Sequence, residues 1–491
     1  MKIIITQGIN NCSLFCCESD KNNNLSTAVK FLNHFPKNQK QSVIISDLEL
    51  IGSAEIFEQH NIRFIVIAKN DRKKHDVNIV FFNTIADLIR AITATKPCDD
   101  TKFFTNENIL VFGKSEFMPI VECLELQSRP THFEINLDAL AYNINYFRSK
   151  LKPNTKMLCV LKANSYGTGN YETACLMQMT GVDYLGVAAT DEGVALRKAG
   201  IKLPIIVFTP EIDNLEMMIR YDLEPEIHNF RSLQAFDAVC KKMKKIDYPI
   251  HIKINTGMNR QGFNASQIDE LLAIFKKLKK PKYVKVYSIF THIATADDYA
   301  LEQLKLFDLI SKKFQFVLSC KIIRHALNSV GIFTFPEHQL DMVRLGIGMY
   351  GISDFASHET KLVGKLTGVI TQIETVAAGE AIGYGREGKI GETPKTIGVV
   401  SIGYADGFNR RLGKGETYFY VNGSKAPTIG NVCMDLTMID LTGINASEGD
   451  RVEIFGDSPT AIDIANSLDT ISYEVFTSVA TRVKRIYSIT I

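Results

Sequence analysis

Between about Thr131 and Gly351, short apolar runs with β-strand character alternate with stretches whose apolar positions recur every three or four residues. The runs are Met157–Leu161, Tyr184–Ala189, Pro204–Thr209, Glu224–His228, Pro249–Asn255, Val284–His292, Lys321–Ser329 and Met342–Gly351. The segments 266–280 and 297–314 carry the helical spacing between them. Eight strands alternating with helices over roughly 200–250 residues predict a (β/α)8 barrel, whose chemistry gathers at the carboxyl ends of its strands. Polar residues fall at those ends: Lys162 after the first run, Asn255 and Arg260 after the fifth, and His292 closing the sixth. Asn328 and Ser329 close the seventh, and Arg344, Gly346 and Ile347 lie in the eighth.

The texture changes on either side. After Gly351 come glycine-punctuated runs at Lys365–Thr375, Thr396–Ser401, Tyr418–Val421, Thr437–Asp440 and Arg451–Ile454, which predict a mainly β domain. Before the barrel, Lys2–Thr6, Val43–Ser46, Phe64–Ala68, Ile79–Phe82 and Ile109–Phe112 read as buried strands, with helical patterns at 25–35 and 84–92. That combination predicts a small open α/β domain. The expected units are residues 1–126, 131–360 and 361–491, with a junction around Cys123 to Pro130, and the Asn22-Asn23-Asn24 run reads as a loop.

A chain of 491 residues with 45% hydrophobic and 22% charged residues has the composition of a soluble globular protein. Its formal charge of +2 gives no electrostatic reason to expect nucleic acid or an anionic membrane as partner. No apolar run reaches the roughly 18 residues of a membrane span, and the apolar stretch after Met1 is short for a signal peptide, so a cytoplasmic protein is expected. The ten cysteines include no CxxC pair, which points to reduced thiols and to no metal site.

The most informative segment is Lys162-Ala163-Asn164-Ser165-Tyr166-Gly167-Thr168-Gly169. A lysine where a buried strand ends, followed by glycines that let backbone approach a ligand, suits a carbonyl cofactor. It is followed in order by NTGMNRQGF, Thr291-His292-Ile293, HALNS, MVRLGIGMYG, GYGREG, IGYADG and GNVCMDL. Together these motifs resemble alanine racemase, the pyridoxal-phosphate family that interconverts L- and D-alanine, from about Thr131 to the last residue. The resemblance implies a homodimer with composite active sites, supplying D-alanine for peptidoglycan.

It also implies roles. Lys162 would hold pyridoxal 5'-phosphate as an aldimine between turnovers and exchange a proton on one face of the substrate. Tyr384 would be the base on the other face, reaching across from the partner subunit. Tyr166, Asn328, Ser329, Gly346, Ile347 and Tyr473 would surround the phosphate, Arg344 would meet the pyridine nitrogen, and His292 would pack near the ring. Arg260, Met434, Asp435 and Tyr404 would line the substrate side. Tyr473 could otherwise be a half-buried β tyrosine. Lys253 matches a lysine that some members carry as a carbamate, and it could equally be paired with an acid. Thr168 and Asn255 stand where the family commonly has histidine and aspartate, so tuning is expected there. A decarboxylase of the same architecture would usually carry glutamate in place of Arg344, and the small single-barrel binders of this cofactor have no β domain with a Tyr384.

The first 125 residues have no counterpart in a lone racemase. Residues 107–117 (ENILVFGKSEF) and 25–48 resemble the carboxyl-terminal domain of the ligase that joins D-alanyl-D-alanine to UDP-muramoyl-tripeptide. No GxxxxGK[ST] phosphate loop occurs, so this region reads as a remnant without ligase activity.

Overall fold

In the computed structural model the described residues are 1–18, 25–38, 40–46, 62–68, 78–93, 103–113, 117–125, 130–277, 282–353, 355 and 359–491. The Asn22–Asn24 loop and most of the expected junction lie outside them. The chain divides into two compact units, residues 139–361 and residues 1–138 with 362–491.

The first unit is a closed barrel of eight parallel strands. They are Lys156–Val160, Tyr184–Val187, Ile205–Val207, Glu224–Ile227, Tyr248–Lys253, Val284–Phe290, Ile323–His325 and Met342–Leu345. The last pairs with the first, Met342 opposite Lys156 and Leu345 opposite Cys159, which closes the ring. Six of the expected runs contain their strands, the first and fifth strands begin one residue earlier, at Lys156 and Tyr248, and every run extends past the carboxyl end of its strand, where the chain has already entered the mouth loops. Near-continuous apolar runs are what a parallel strand buried on both faces requires. Helix Ile268–Lys277 shows how the outer layer is specified: Ile268, Leu271, Leu272 and Phe275 are buried along one stripe. Asp269 and Glu270 stand in its first turn and Lys276 and Lys277 in its last, complementing the helix dipole.

Three units were expected, and the second observed unit joins the two outer ones. The amino-terminal strand Lys2–Gln7 pairs antiparallel with the carboxyl-terminal strand Lys484–Thr490, Lys2 opposite Thr490 and Ile5 opposite Tyr487. Among the described residues a single 14-stranded sheet results. Strand His132–Asn136, which precedes the barrel in sequence, also belongs here, between Gly364–Val376 and Lys484–Thr490. The physical reason is edge completion: two open edges of unpaired backbone groups satisfy one another. An ion pair between Glu125 and Lys484 and a hydrogen bond from the Met1 amino group to the Ile491 carbonyl (3.0 Å) fasten the same seam.

Candidate active site

Lys162 stands two residues after the end of the first barrel strand and opens the turn Lys162–Tyr166. Ala163, Asn164, Ser165 and Tyr166 all have positive φ, between 53° and 55°, with no glycine among them. Left-handed backbone costs L-residues roughly 1–2 kcal/mol each, so the surroundings must impose it. Ser165 Oγ lies 2.8 Å from the Tyr350 hydroxyl and accepts from Thr173 Oγ1 at 2.9 Å. Thr168 Oγ1 donates to the Ser165 carbonyl (2.7 Å), and the Ala163 N–H donates to Glu192 Oε1 (2.7 Å). Thr168 thus fixes the turn where the family commonly has histidine. The strained turn aims Lys162, whose ammonium is held below the ordinary lysine range by partial desolvation and by the Arg260 guanidinium.

The seventh and eighth strands build a cradle near that turn. Asn328 caps the helix Ser329–Thr334 by accepting from the Gly331 N–H (3.1 Å), and Ser329 Oγ accepts from the Gly346 N–H (2.9 Å). A Cβ at Gly346 would come within 2.9 Å of the Tyr166 hydroxyl, so only glycine keeps space beside Tyr166, Ser329 and the start of the turn Ile347–Tyr350. Tyr166 stacks obliquely on Tyr350, their ring centroids 4.9 Å apart.

Arg344, only 4% exposed, projects into the barrel from the eighth strand. It donates from Nη1 to His325 Nδ1 (3.0 Å) and from Nη2 to the carbonyls of Thr291 and Ala326 (both 2.7 Å). Burial draws its pKa down to about 9, with Glu226 opposing, so the guanidinium remains charged at neutral pH. A guanidinium has five N–H donors, and those left over from these three bonds are the ones a ligand could meet. His292 Nδ1 lies 3.3 Å from Arg344 Nη2. Burial and the neighbouring cations Arg344, Lys253 and Arg260 keep that imidazole neutral.

Two groups near Arg344 draw less notice in the sequence. Lys253 Nζ lies 3.6 Å from a carboxylate oxygen of Glu226 and 4.8 Å from the centre of the Phe290 ring. Lys253 is therefore paired with an acid, one of the two readings its position left open. Glu226 is fully buried, and neither of its oxygens has a hydrogen-bond partner. Desolvation pushes its carboxyl up to about 7, against the pull of Lys253. The signal was available: Glu224 and Glu226 are two apart on one strand, as are His251 and Lys253 on the next, so each pair shares a face. Asn255, where the family commonly has aspartate, accepts from the Asn259 N–H (3.0 Å) and donates to Asn264 (2.9 Å), stapling the loop that carries Arg260.

The remaining expected residues belong to the second unit. Tyr384 is 73% exposed, and its carbonyl accepts from Asn431 Nδ2 at 2.8 Å. Tyr404 donates its N–H to the Cys433 carbonyl (3.0 Å), and Gly403 runs so close to Met434 that a Cβ would overlap its backbone at 2.3 Å. Asp435 pairs with Arg482 (2.6 Å), which also holds Asp406 (2.7 Å). Tyr384, Tyr404 and Met434 are all exposed, and the contacts to Asn431 and Cys433 tie the first two to the segment that carries Met434. Tyr473 lies in helix Ser472–Ser478, half-buried, which removes the alternative of a β tyrosine. Among the described residues no cluster could hold a metal ion, and no helix is long and apolar enough to cross a membrane.

The family profile described as "Alanine racemase, N-terminal domain" matches residues 135–354, and "Alanine racemase, C-terminal domain" matches residues 363–487. The chain belongs to the alanine racemase family. The curated alanine racemase of Sorangium cellulosum is 35% identical over 380 residues, spanning 73% of this chain and 99% of that protein. A solved alanine racemase from Clostridium difficile 630 superposes with TM-score 0.69 at 34% identity, covering 74% of this chain and 96% of the other. That of the D-cycloserine producer Streptomyces lavendulae gives TM-score 0.70 at 28% identity, covering 75% and 99%.

This family works with pyridoxal 5'-phosphate, and the barrel mouth fits it. The amine of Lys162 suits its aldehyde, and the glycine-shaped cradle of Tyr166, Ser329, Gly346 and Ile347 suits its phosphate. The unspent donors of Arg344 suit a ring nitrogen that accepts.

Proposed function

We propose that this chain interconverts L- and D-alanine by a two-base mechanism. The observation that carries the proposal is the convergence at one barrel mouth of an amine with a depressed pKa, a cradle only glycine keeps open and a buried, charged arginine. The cofactor, when bound, supplies the sink that makes the Cα–H of an attached amino acid acidic. Lys162 holds the cofactor in place, and its Nζ takes or returns the proton on one face. Tyr384 Oη does so on the other, the alignment racemisation needs for two-sided exchange. Arg344 would hold the ring nitrogen through its unspent donors, and a charged donor there would disfavour a ring proton, so the sink would be limited and reprotonation at Cα favoured over side reactions.

A phenol is a weak base, so Arg260 is assigned, on the family resemblance, to that hydroxyl and to the substrate carboxylate, and Met434 and Asp435 to the substrate side. Tyr404 lines the way in, and Tyr473 and Asn328 add to the phosphate's surroundings. The family resemblance, together with the exposure of Tyr384, Tyr404 and Met434, supports a homodimer in which each Tyr384 serves the partner's Lys162. Residues 1–126 are assigned as a ligase-derived module without ligase activity, and the biological output as D-alanine for peptidoglycan, made in the cytoplasm. Purified protein given pyridoxal phosphate and L-alanine in D2O should form D-alanine and incorporate deuterium at Cα. Absence of both products would refute the reading.

A further inference from the structure

The barrel interior carries a polar stripe of which the proposed reaction uses only the last member, Arg344. Glu224, His251, Ser288, His325 and Arg344 lie one on each of five consecutive strands, the fourth to the eighth. Their side chains touch in sequence. Glu224 Oε2 is 2.7 Å from His251 Nε2, His251 Nδ1 is 2.6 Å from Ser288 Oγ, Ser288 Oγ is 3.0 Å from His325 Nε2, and His325 Nδ1 is 3.0 Å from Arg344 Nη1. His251, Ser288 and His325 have no exposed surface.

The proton positions in this chain follow from its two ends. A guanidinium has no acceptor, so Arg344 must donate, and His325 Nδ1 must offer a lone pair. Burial and the Arg344 charge keep His325 neutral, so its proton sits on Nε2 and is donated to Ser288 Oγ. The serine's single hydrogen then goes to His251 Nδ1, which leaves His251 Nε2–H to donate to the Glu224 carboxylate. Every bond runs in the same sense, from the cation at the mouth to the anion at the first residue of the fourth strand. His325 is also held by stacking on Phe290, with ring centroids 4.7 Å apart and planes 14° from parallel.

We propose that Glu224, His251 and Ser288 are positioning residues for Arg344, fixing through His325 the direction in which the guanidinium presents its remaining donors. Resting on the reading above, this deepens the role of Arg344 at the ring nitrogen. An all-apolar barrel interior would pack as well, and a buried polar chain is tolerated only when every member is satisfied, as here. Breaking it in the middle loosens His325 and with it the Nη1 side of Arg344, which the two carbonyl bonds of Nη2 alone then hold, without touching any group at the mouth.

The test combines histidine tautomers with reaction partitioning. In protein labelled with 15N-histidine, long-range proton–nitrogen spectra of both the cofactor-free and loaded forms should show His251 and His325 as neutral Nε2–H tautomers, assigned with His251→Gln and His325→Gln. Ser288→Ala should shift the His325 Nε2 and His251 Nδ1 resonances, the two ring nitrogens that lose their bond to the serine. In the loaded enzyme it should lower kcat by about 3- to 10-fold, the scale of one lost buried hydrogen bond, with KM for alanine within about twofold. Side transamination per turnover should rise, and Ser288→Thr, which keeps the hydroxyl, should restore the wild-type partition. An Nδ1–H tautomer or an imidazolium at His325 in the wild type overturns the proposal, and that arm needs no variant to fold. Unchanged kcat and partition in Ser288→Ala overturn it too, provided Arg344→Glu shifts the partition. If Arg344→Glu shifts nothing, the reading of the arginine at the ring fails, and the tautomers alone decide the relay.

Discussion

Both units bury an acid beside a base, and they do so in opposite ways. In the amino-terminal part, Glu107 accepts from Ser42 Oγ (2.6 Å) and from Arg63 Nη2 (2.9 Å), while Arg63 also donates to Ser42 Oγ and to the Phe103 carbonyl. That guanidinium lies 4.9 Å from the centres of both the Phe103 and Phe104 rings. In the barrel, Glu226 meets Lys253 only at 3.6 Å and has no hydrogen bond at either oxygen. A carboxylate tied by hydrogen bonds to both a hydroxyl and a guanidinium is held in one conformation and has a stability role. An arrangement that leaves a carboxylate desolvated beside cations stores its cost where charge must be tuned. Burial of charge is therefore a poor pointer to function, whereas incomplete satisfaction is a good one.

The contrast can be broken most severely at the mouth. Lys162→Ala should reduce racemisation by at least ~10²–10⁴-fold, the usual worth of a positioned acid–base group, with thermal stability little changed. Mixed with Tyr384→Phe, it should regain activity once subunits exchange, and failure to regain any would put both bases of a site on one chain. A chain starting at Pro130 should keep a similar kcat but lose the partner of its Lys484–Thr490 edge, so size-exclusion chromatography should find it self-associating. Full solubility as a discrete dimer would make the seam dispensable.

Arg63→Met should leave turnover per folded molecule unchanged and lower stability by about 1–3 kcal/mol, the cost of stranding a buried acceptor, read from denaturant melts. Glu226→Gln sharpens the contrast through pH. The folded-state pKa of Glu226 is raised above its unfolded value, so its contribution to stability is fully present below the ordinary glutamate range and is lost as pH rises through about 7. Wild-type melting temperature should fall between about pH 5 and pH 8, and the variant should flatten that slope; equal slopes would place the titration elsewhere. The smallest effect is expected from Tyr473→Phe, about 2- to 10-fold in the concentration of pyridoxal phosphate needed for half-activity.

The barrel was legible because each parallel strand is buried on both faces and announces itself as an apolar run, while the residues at the mouth arrive in ordered motifs. The union of the first and last strands was not. Lys2–Gln7 and Lys484–Thr490 carry ordinary strand patterns, and nothing local tells an edge which distant edge completes it. Glu226 and the chain from Glu224 to His325 were overlooked for a related reason. A charged residue within an apolar run reads as a surface position until closure of the barrel turns that face inward, although the i, i+2 spacing of Glu224 with Glu226 and of His251 with Lys253 held the clue. The strand alternative for Tyr473 arose because Ile-Ser-Tyr-Glu-Val alternates, yet Ser472–Ser478 is helical and buries Val475 and Phe476.

The turn after Lys162 has a stereochemical consequence. Ala163 through Tyr166 sit where the mirror-image amino acids are at rest, so the backbone there is one that D-residues would adopt without strain. A semisynthetic chain with D-alanine at position 163 would relieve roughly 1–2 kcal/mol at that residue wherever its methyl finds room. The proposed product of the enzyme is thus the building block its own lysine-bearing turn would prefer.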